Sequence, residues 1–140
     1  MGLHAPEAVS SLGVPAGLEQ PVDFYVYANL NDLRDTLIPG SQEWIAGHAD
    51  PSLGVVMVAI EPGQAQEDTM RQRLPHELMH VMMYRAVGDG YQNIPAWLSE
   101  GTAGLAEIVT STGYDPALQQ AVARKDWIPL STVCNSFPQD

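Results

Sequence analysis

Apolar residues recur at helical spacing in two stretches of the chain, residues 74–87 and residues 98–109. In the first stretch, apolar side chains fill most of the helical wheel and leave one polar arc. In the second, they recur every three or four positions. The pattern predicts two helices, the first of them largely buried. Gly88-Asp89-Gly90 predicts a turn between the two helices.

Three earlier stretches have the composition of strands. Residues 22–28 combine β-branched and aromatic residues, and residues 55–60 form a continuous apolar run. Residues 43–48 are a weaker candidate. The turn-forming residues at 50–54 join the last two stretches, so the sequence predicts a β-hairpin there.

Capping residues predict two shorter helices. Asn29 or Asn31 can begin a helix that runs through about Ile38, and Asp115-Pro116 can begin another that runs through about residue 125.

Pro75 complicates the start of the first long helix. A proline in a helix interior removes a hydrogen bond and clashes with the preceding turn. Either the helix begins near Arg73 or it bends at Pro75, and a start within one turn of Pro75 is preferred. Asp68 or Thr69 are the candidate caps.

Length and composition predict one domain. The chain has 140 residues, of which 45% are hydrophobic, which is enough for one core. Residues 1–20 predict an N-terminal arm or lead-in, and residues 21–140 a single domain, which leaves open that the chain is part of a longer protein. The predicted class is α+β: a small, twisted, largely antiparallel sheet over the first long helix, with the second behind it and a cleft between them.

The charge of the chain excludes some partners. Six basic residues against 17 acidic ones give a formal charge of −11, which repels nucleic acids and anionic membranes. The first residues lack a basic, apolar signal, and no apolar run approaches the roughly 18 residues of a membrane span. We therefore expect a soluble segment without membrane contact. The lone Cys134 excludes an internal disulfide, and the compartment and oligomeric state stay open.

The polar arc of the first long helix contains a metal-binding pattern, His76-Glu77-x-x-His80. Two histidines four residues apart lie on one helical face, so both rings can reach one ion, and Glu77 lies beside it. In this motif the histidines bind zinc and the glutamate takes the proton of a zinc-bound water. The alternative is a pair of core histidines that hydrogen-bond to carbonyl groups.

A catalytic zinc ion takes three protein ligands, so a third must come from another element. Glu100 follows His80 by 20 positions and opens the second predicted helix, for which Pro95 suits the first turn. The turn between the helices can return Glu100 to the ion. Taken alone, Glu100 also fits a solvated helix residue.

At these residues the sequence resembles a known family. The first motif followed by Trp97-Leu98-Ser99-Glu100-Gly101-x-Ala103 is similar to the gluzincin zinc metallopeptidases, in particular the aminopeptidase N-like and peptidase MA-like domains. The resemblance implies a zincin-like fold that acts on a peptide or protein substrate. It also implies one catalytic zinc ion on His76, His80 and Glu100, with Glu77 as general base and then proton shuttle.

The resemblance also directs attention to residues around the site. Some gluzincins have an aspartate shortly after the glutamate ligand that orients a zinc-binding histidine. Here Gly104 occupies that neighbourhood, and Glu107 is the nearby acidic residue. A tyrosine or histidine well after the glutamate ligand donates a hydrogen bond to the reacting oxygen in these enzymes. Tyr114 is the candidate in this chain, whereas Tyr84 and Tyr91 precede the ligand.

In gluzincins an edge strand before the metal-binding helix lines the cleft and can pair with an extended peptide. Residues 54–60 match that place in the order, so Val55, Val56, Met57 and Val58 are the predicted substrate-binding residues. A plain buried strand is the alternative. His48 has no partner at metal-binding spacing and is interpreted as a surface or loop histidine.

Two functions from different classes follow. The first is a zinc-dependent peptidase that hydrolyses peptide bonds with a metal-activated water and Glu77 as general base. The second is a non-catalytic zinc- or peptide-binding module that uses the same scaffold. Hydrolysis that disappears on replacing Glu77, while zinc stays bound, distinguishes them.

Overall fold

The computed structural model describes residues 20–37, 46–109, 114–126, 129, 131 and 132. Their elements are, in chain order, β1 (Asp23–Tyr27), α1 (Leu30–Arg34), β2 (Gly47–Asp50), β3 (Val55–Ala59), α2 (Gln66–Val87), a 3₁₀ helix (Gly88–Asn93), α3 (Ala96–Ala106) and α4 (Tyr114–Arg124). The predicted α+β class is confirmed. None of the helices in these ranges is both long and apolar enough to cross a membrane. Apart from Gln20, the predicted lead-in lies outside the described residues.

The three strands form a mixed sheet in the order β1-β3-β2. β3 pairs with β1 in parallel and with β2 in antiparallel fashion, so the sheet is mixed and not largely antiparallel. The prediction that residues 54–60 form an edge strand is wrong, because β3 is hydrogen-bonded on both sides. Val56 and Val58 are fully buried in the core. A central position explains the continuous apolar run.

The predicted hairpin joins β2 and β3. β2, the first strand of the hairpin, begins at Gly47, whereas the strand predicted there covered residues 43–48. Residues 43–45 lie outside the described residues. Asp50 Oδ1 accepts hydrogen bonds from the Ser52 backbone, the Ser52 hydroxyl and the Leu53 backbone. Gly54 closes the turn at φ 68°, where a side chain would be strained. These contacts fix the position of the β2 edge.

α2 spans Gln66–Val87 and contains Pro75 in its interior. The predicted start close to Pro75 is therefore wrong, and the predicted caps are wrong too, because the N-cap is Ala65 without a side-chain hydrogen bond. Thr69 instead lies in the helix and donates its hydroxyl to Ala65 O. The helix continues through Pro75 because α2 packs on the sheet and on α3, which outweighs the loss of one internal hydrogen bond.

Two apolar clusters hold α2 in place. One lies between the sheet and α2 and consists of Val56, Val58, Ile60 and Val81. The other lies between α2 and α3 and consists of Met79, Met82 and Ala103. α2 is therefore buried from two sides. Its remaining polar arc opens between α3 and the edge strand β2.

Candidate active site

Three potential metal ligands converge where α2 and α3 meet. His76 and His80 lie one turn apart on α2, and Glu100 lies on α3. His76 Nε2 is 3.4 Å from Glu100 Oε2, and His80 Nε2 is 3.7 Å from Glu100 Oε1. One ligand atom from each residue lies within 4.8 Å of the others. The structure thus brings together the three residues that the sequence predicts as ligands.

The chain returns Glu100 to α2 by a short route. The 3₁₀ helix after Val87 reverses direction, and Pro95 then stands in extended conformation immediately before α3. Pro95 O accepts the first hydrogen bonds of the new helix, from the Leu98 and Ser99 backbones. Ala103 packs against α2 one turn after Glu100. This packing sets the distance between Glu100 and the histidines.

The donor set fits a zinc ion. Zinc binds nitrogen and oxygen ligands at about 2.0–2.2 Å in a tetrahedron, which separates neighbouring ligand atoms by roughly 3.3–3.6 Å. Each imidazole Nε2 lies near that separation from one Glu100 oxygen, His76 at 3.4 Å from Oε2 and His80 at 3.7 Å from Oε1. Two imidazoles and a carboxylate are also the ligand types of catalytic zinc sites.

Glu77 occupies the wall of the cleft opposite α3. Its side chain is buried and lies against Gly47 of β2 so closely that a methyl group at Gly47 would overlap its carboxyl group. Burial raises the pKa of Glu77 to about 7, with His76 lowering it, Glu100 raising it and Arg73 lowering it to smaller extents. The absence of a side chain at Gly47 is what makes room for this carboxyl group.

His76 is held from behind by Glu107, which directly follows α3. His76 Nδ1 is 2.9 Å from Glu107 Oε1, and Gln72 donates a hydrogen bond to Glu107 Oε2. The hydrogen bond with Glu100 is the main cause that raises the pKa of His76 to about 8; burial opposes it, and Glu107 contributes to it. The same contact lowers the pKa of Glu100.

His80 is held from behind by a different group, Tyr91 of the 3₁₀ helix. His80 Nδ1 is 2.9 Å from the Tyr91 hydroxyl, and the Tyr91 ring packs edge-on against Tyr84. Burial lowers the pKa of His80 and raises the pKa of Tyr91. The phenol therefore stays protonated at neutral pH and contacts His80 as a neutral group.

The cleft at these residues has a volume of about 610 Å³. The residues that line the cleft come from β2 and its flanks, from α2, from the 3₁₀ helix, and from α3 and the residue that follows it. They are Ala46, Gly47, His48, Ala49, Pro51, Gln72, Arg73, His76, Glu77, His80, Tyr91, Glu100 and Glu107. The edge strand of the hairpin, and not β3, borders the cleft.

Several residues lie elsewhere than the sequence suggests. Val56 and Val58 are core residues of the central strand, and none of the four residues 55–58 lines the cleft, which corrects their assignment as an edge. His48, interpreted as a surface or loop histidine, is exposed as expected of a surface residue, but it lies on the strand β2 at the cleft and not in a loop. Tyr114 begins α4, but its side chain lies outside the described part of the structure.

Several contributors to the cleft were not predicted from the sequence, among them Gly47, Arg73 and the contact of Tyr91 with His80. Arg73 had a usable signal, because it lies four residues before Glu77 and hence on the same helical face. Its guanidinium donates to Ala59 O and lies near Glu77. Gly47 had a weaker signal, its position in the first strand of a predicted hairpin.

A helix with the His-Glu-x-x-His pattern, a carboxylate from a second helix and an adjoining strand-lined cleft define a peptidase-like scaffold. The family model of the Peptidase MA superfamily matches residues 6–140, and the chain belongs to this superfamily. The resemblance seen in the sequence is thereby confirmed. Neither the curated proteins nor the solved structures contain a match.

Proposed function

We propose that the chain is a zinc-dependent peptidase in which His76, His80 and Glu100 hold one zinc ion and Glu77 acts as general base. One observation carries this proposal: the three potential ligands lie in the same cleft as the buried carboxyl group of Glu77, which is not part of the ligand group. A site that only stores a metal needs the three ligands but has no use for a buried glutamate beside them.

The groups behind the histidines support this assignment. With Glu107 and Tyr91 accepting from the two Nδ1–H groups, both imidazoles keep an Nε2 lone pair for a metal ion. Both Nε2 atoms face the Glu100 carboxylate of α3, at 3.4 Å for His76 and 3.7 Å for His80. Metal binding at both Nε2 atoms requires the tautomer in which Nδ1–H donates, and at His76 the Glu107 carboxylate, which accepts hydrogen bonds, favours this tautomer.

The reaction assigned to this site is hydrolysis of a peptide bond. A bound zinc ion supplies Lewis-acid chemistry, since it polarises a carbonyl group and lowers the pKa of a water molecule. Glu77 takes a proton from the attacking water and returns it to the leaving amine. Gly47 lies directly against the Glu77 carboxyl group from the sheet side and so restricts its movement between the two transfers, while the charge of Arg73 favours the ionised form of Glu77.

The proposed substrate is an extended peptide that binds along β2. On one side β2 pairs with β3, and among the described residues no strand pairs with its other side. Residues 46–49 line the cleft from this strand. Free backbone N–H and C=O groups on an edge strand can pair with an incoming peptide in the manner of an added strand. A peptide bound in this way would have its scissile bond between β2 and the proposed metal ligands.

The proposal is tested on purified chain loaded with zinc, by metal analysis and by hydrolysis of a quenched peptide library. We expect Glu77→Gln to retain one zinc ion per chain and to lose roughly 10²–10⁴-fold in hydrolysis, the usual contribution of a general base. Glu61→Gln is the matched control, because it makes the same chemical change at an exposed residue outside the cleft.

The same experiment decides the alternative of a non-catalytic zinc- or peptide-binding module. Chain that binds zinc but hydrolyses no peptide, with or without Glu77, would support the module and refute the peptidase. Chain that acquires no zinc would refute both metal-dependent functions.

A further inference from the structure

We propose that Pro75 and the backbone N–H of Ile108 together position Glu107 on His76, so that a proline in the metal-binding helix orients a metal ligand through the segment after α3. The inference rests on the proposed zinc site and deepens it. Pro75 and Ile108 are positioning residues, since both act through Glu107.

Pro75 leaves one backbone carbonyl group of α2 without its helical hydrogen-bond donor. In a regular helix the N–H of residue 75 would donate to the carbonyl of residue 71, but proline has no N–H, and its ring crowds that carbonyl. Arg71 O would remain without its helical partner. In the structure it accepts a hydrogen bond of 3.1 Å from the Ile108 backbone N–H.

The Ile108 donor lies in the extended segment that follows α3. α3 ends at Ala106, and Glu107 then has φ −62° and ψ 127°, so the chain leaves α3 in extended form. The Ile108 side chain is 64% exposed and contributes little packing. The contact between this segment and α2 therefore depends on the backbone hydrogen bond and on Glu107 itself.

The hydrogen bond from Ile108 N–H to Arg71 O determines where the Glu107 side chain lies. Once Ile108 N–H is fixed on Arg71 O, the preceding side chain lies over the next turn of α2. There Glu107 accepts from Gln72 and contacts His76 Nδ1 at 2.9 Å. Its side chain is only 11% exposed, so few other orientations are open to it. The Glu107 carboxylate thus reaches His76 from a backbone anchored one turn earlier on the same helix.

The direct test removes the donor and keeps the side chains of the site. Ile108→Pro deletes the N–H, and Glu107 already has the extended conformation that a residue before proline prefers. Ile108→Ala keeps the N–H and is the matched control. Zinc affinity is measured by competition with a chromophoric chelator. We expect Ile108→Pro to weaken zinc binding roughly tenfold, the lower end of the effect of losing an outer-shell partner, and Ile108→Ala to stay within about twofold of wild type.

A double-mutant cycle distinguishes positioning of Glu107 from a general structural effect. In a Glu107→Gln background the Ile108→Pro change should cost little further zinc affinity, because the group that it positions is already altered. An undiminished loss in that background would overturn the inference, since it would show that Ile108 acts independently of Glu107.

Pro75→Ala provides a second test in case Ile108→Pro does not fold. Alanine restores the helical donor to Arg71 O and favours the helix, so metal-free protein should unfold at an equal or higher temperature while zinc binds several-fold more weakly. Unchanged zinc affinity in either variant that folds would overturn the inference but leave the zinc site intact. Wild-type chain that binds no zinc would overturn the site itself, and the inference with it.

Discussion

The two walls of the cleft are built on opposite principles. The helical wall, formed by α2 and α3, depends on side chains that are each held by a named partner: Glu107 behind His76 and Tyr91 behind His80. The strand wall, formed by β2, depends on a missing side chain, because Gly47 leaves the volume that Glu77 fills. One wall is sensitive to the loss of atoms and the other to their addition.

This difference separates two measurable quantities. Changes in the helical wall alter the ligands or their supports, so we expect them to act on zinc affinity. Changes in the strand wall displace Glu77 or the substrate and leave the ligands alone, so we expect them to act on hydrolysis at unchanged zinc content. A variant of either wall that produced the other effect would break the comparison.

The largest effect on zinc affinity is expected for Glu100→Ala, which removes the one potential metal ligand that α3 supplies. Zinc binding worth about 10–16 kcal/mol over four ligands corresponds to about 3 kcal/mol, or roughly a hundredfold in affinity, for each. Chelator competition measures the loss, with Glu61→Ala as a control at an exposed glutamate. Retained affinity would show that the helical wall holds no metal at this position.

Gly47→Ala is expected to have the next largest effect, on hydrolysis alone. The added methyl group displaces the Glu77 carboxyl group, and a shift of about 1 Å at a reacting group costs roughly a hundredfold in kcat/KM. Gly104→Ala is the matched control, because a methyl group there meets nothing within 4 Å. A parallel loss of zinc would contradict the separation of the two walls.

Glu107→Gln and Tyr91→Phe sharpen the comparison within the helical wall. Loss of the carboxylate should weaken zinc binding by about ten- to a hundredfold, and loss of the phenol by less. The reason is charge, since hydrogen bonds to an ionised partner are roughly twice as strong as those between neutral groups. Equal losses in the two variants, measured by the same chelator competition, would show that the charge of Glu107 contributes nothing.

The smallest expected effect is on the turn that carries the strand wall. Asp50→Ala removes a carboxylate that accepts from the Ser52 and Leu53 backbones and from the Ser52 hydroxyl, and should lower the free energy of unfolding by about 1 kcal/mol or less. The hydrogen bond from the Ser52 hydroxyl is the main cause that lowers the Asp50 pKa from 3.8.

Because the pKa of Asp50 is lowered, its contribution to the free energy of unfolding depends on pH in a known direction. A carboxyl group whose pKa is lower in the folded state stabilises fully above its unfolded value, and the stabilisation disappears as the pH falls through the folded value. The difference between wild type and Asp50→Ala in urea unfolding should therefore be present at pH 7 and shrink in strong acid. A difference that grew with acidity would contradict the turn geometry.

The helical wall could be predicted in large part because its information is local. The spacing of His76 and His80 follows from helical geometry, and the turn before Pro95 indicated how Glu100 returns. Glu107 could be singled out only as a nearby acidic residue. Its contact with His76 depends on how the chain leaves α3, which no periodicity encodes.

The strand wall could not be predicted in the same way. The apolar run of β3 identified a strand correctly, but its neighbours in the sheet depend on long-range pairing. β1 pairs with one side of β3 in parallel and β2 with the other, so β3 is central and β2 is the outer strand at the cleft. The start of α2 was predicted wrongly for a related reason. Proline disfavours a helix interior, so the helix was expected to begin close to Pro75, but the packing of α2 on two sides overrides this local preference.

The unequal exposure of the three potential ligands has a consequence for how the proposed zinc ion would be loaded. The side chains of His76 and His80 are 23% and 11% exposed, whereas that of Glu100 is 52% exposed. A chelator that approaches from solvent meets the carboxylate first, so exchange of the ion should begin with its detachment from α3. The imidazoles would then retain the ion on α2 alone, so the rate of zinc removal would report on this two-ligand stage and the final affinity on all three ligands.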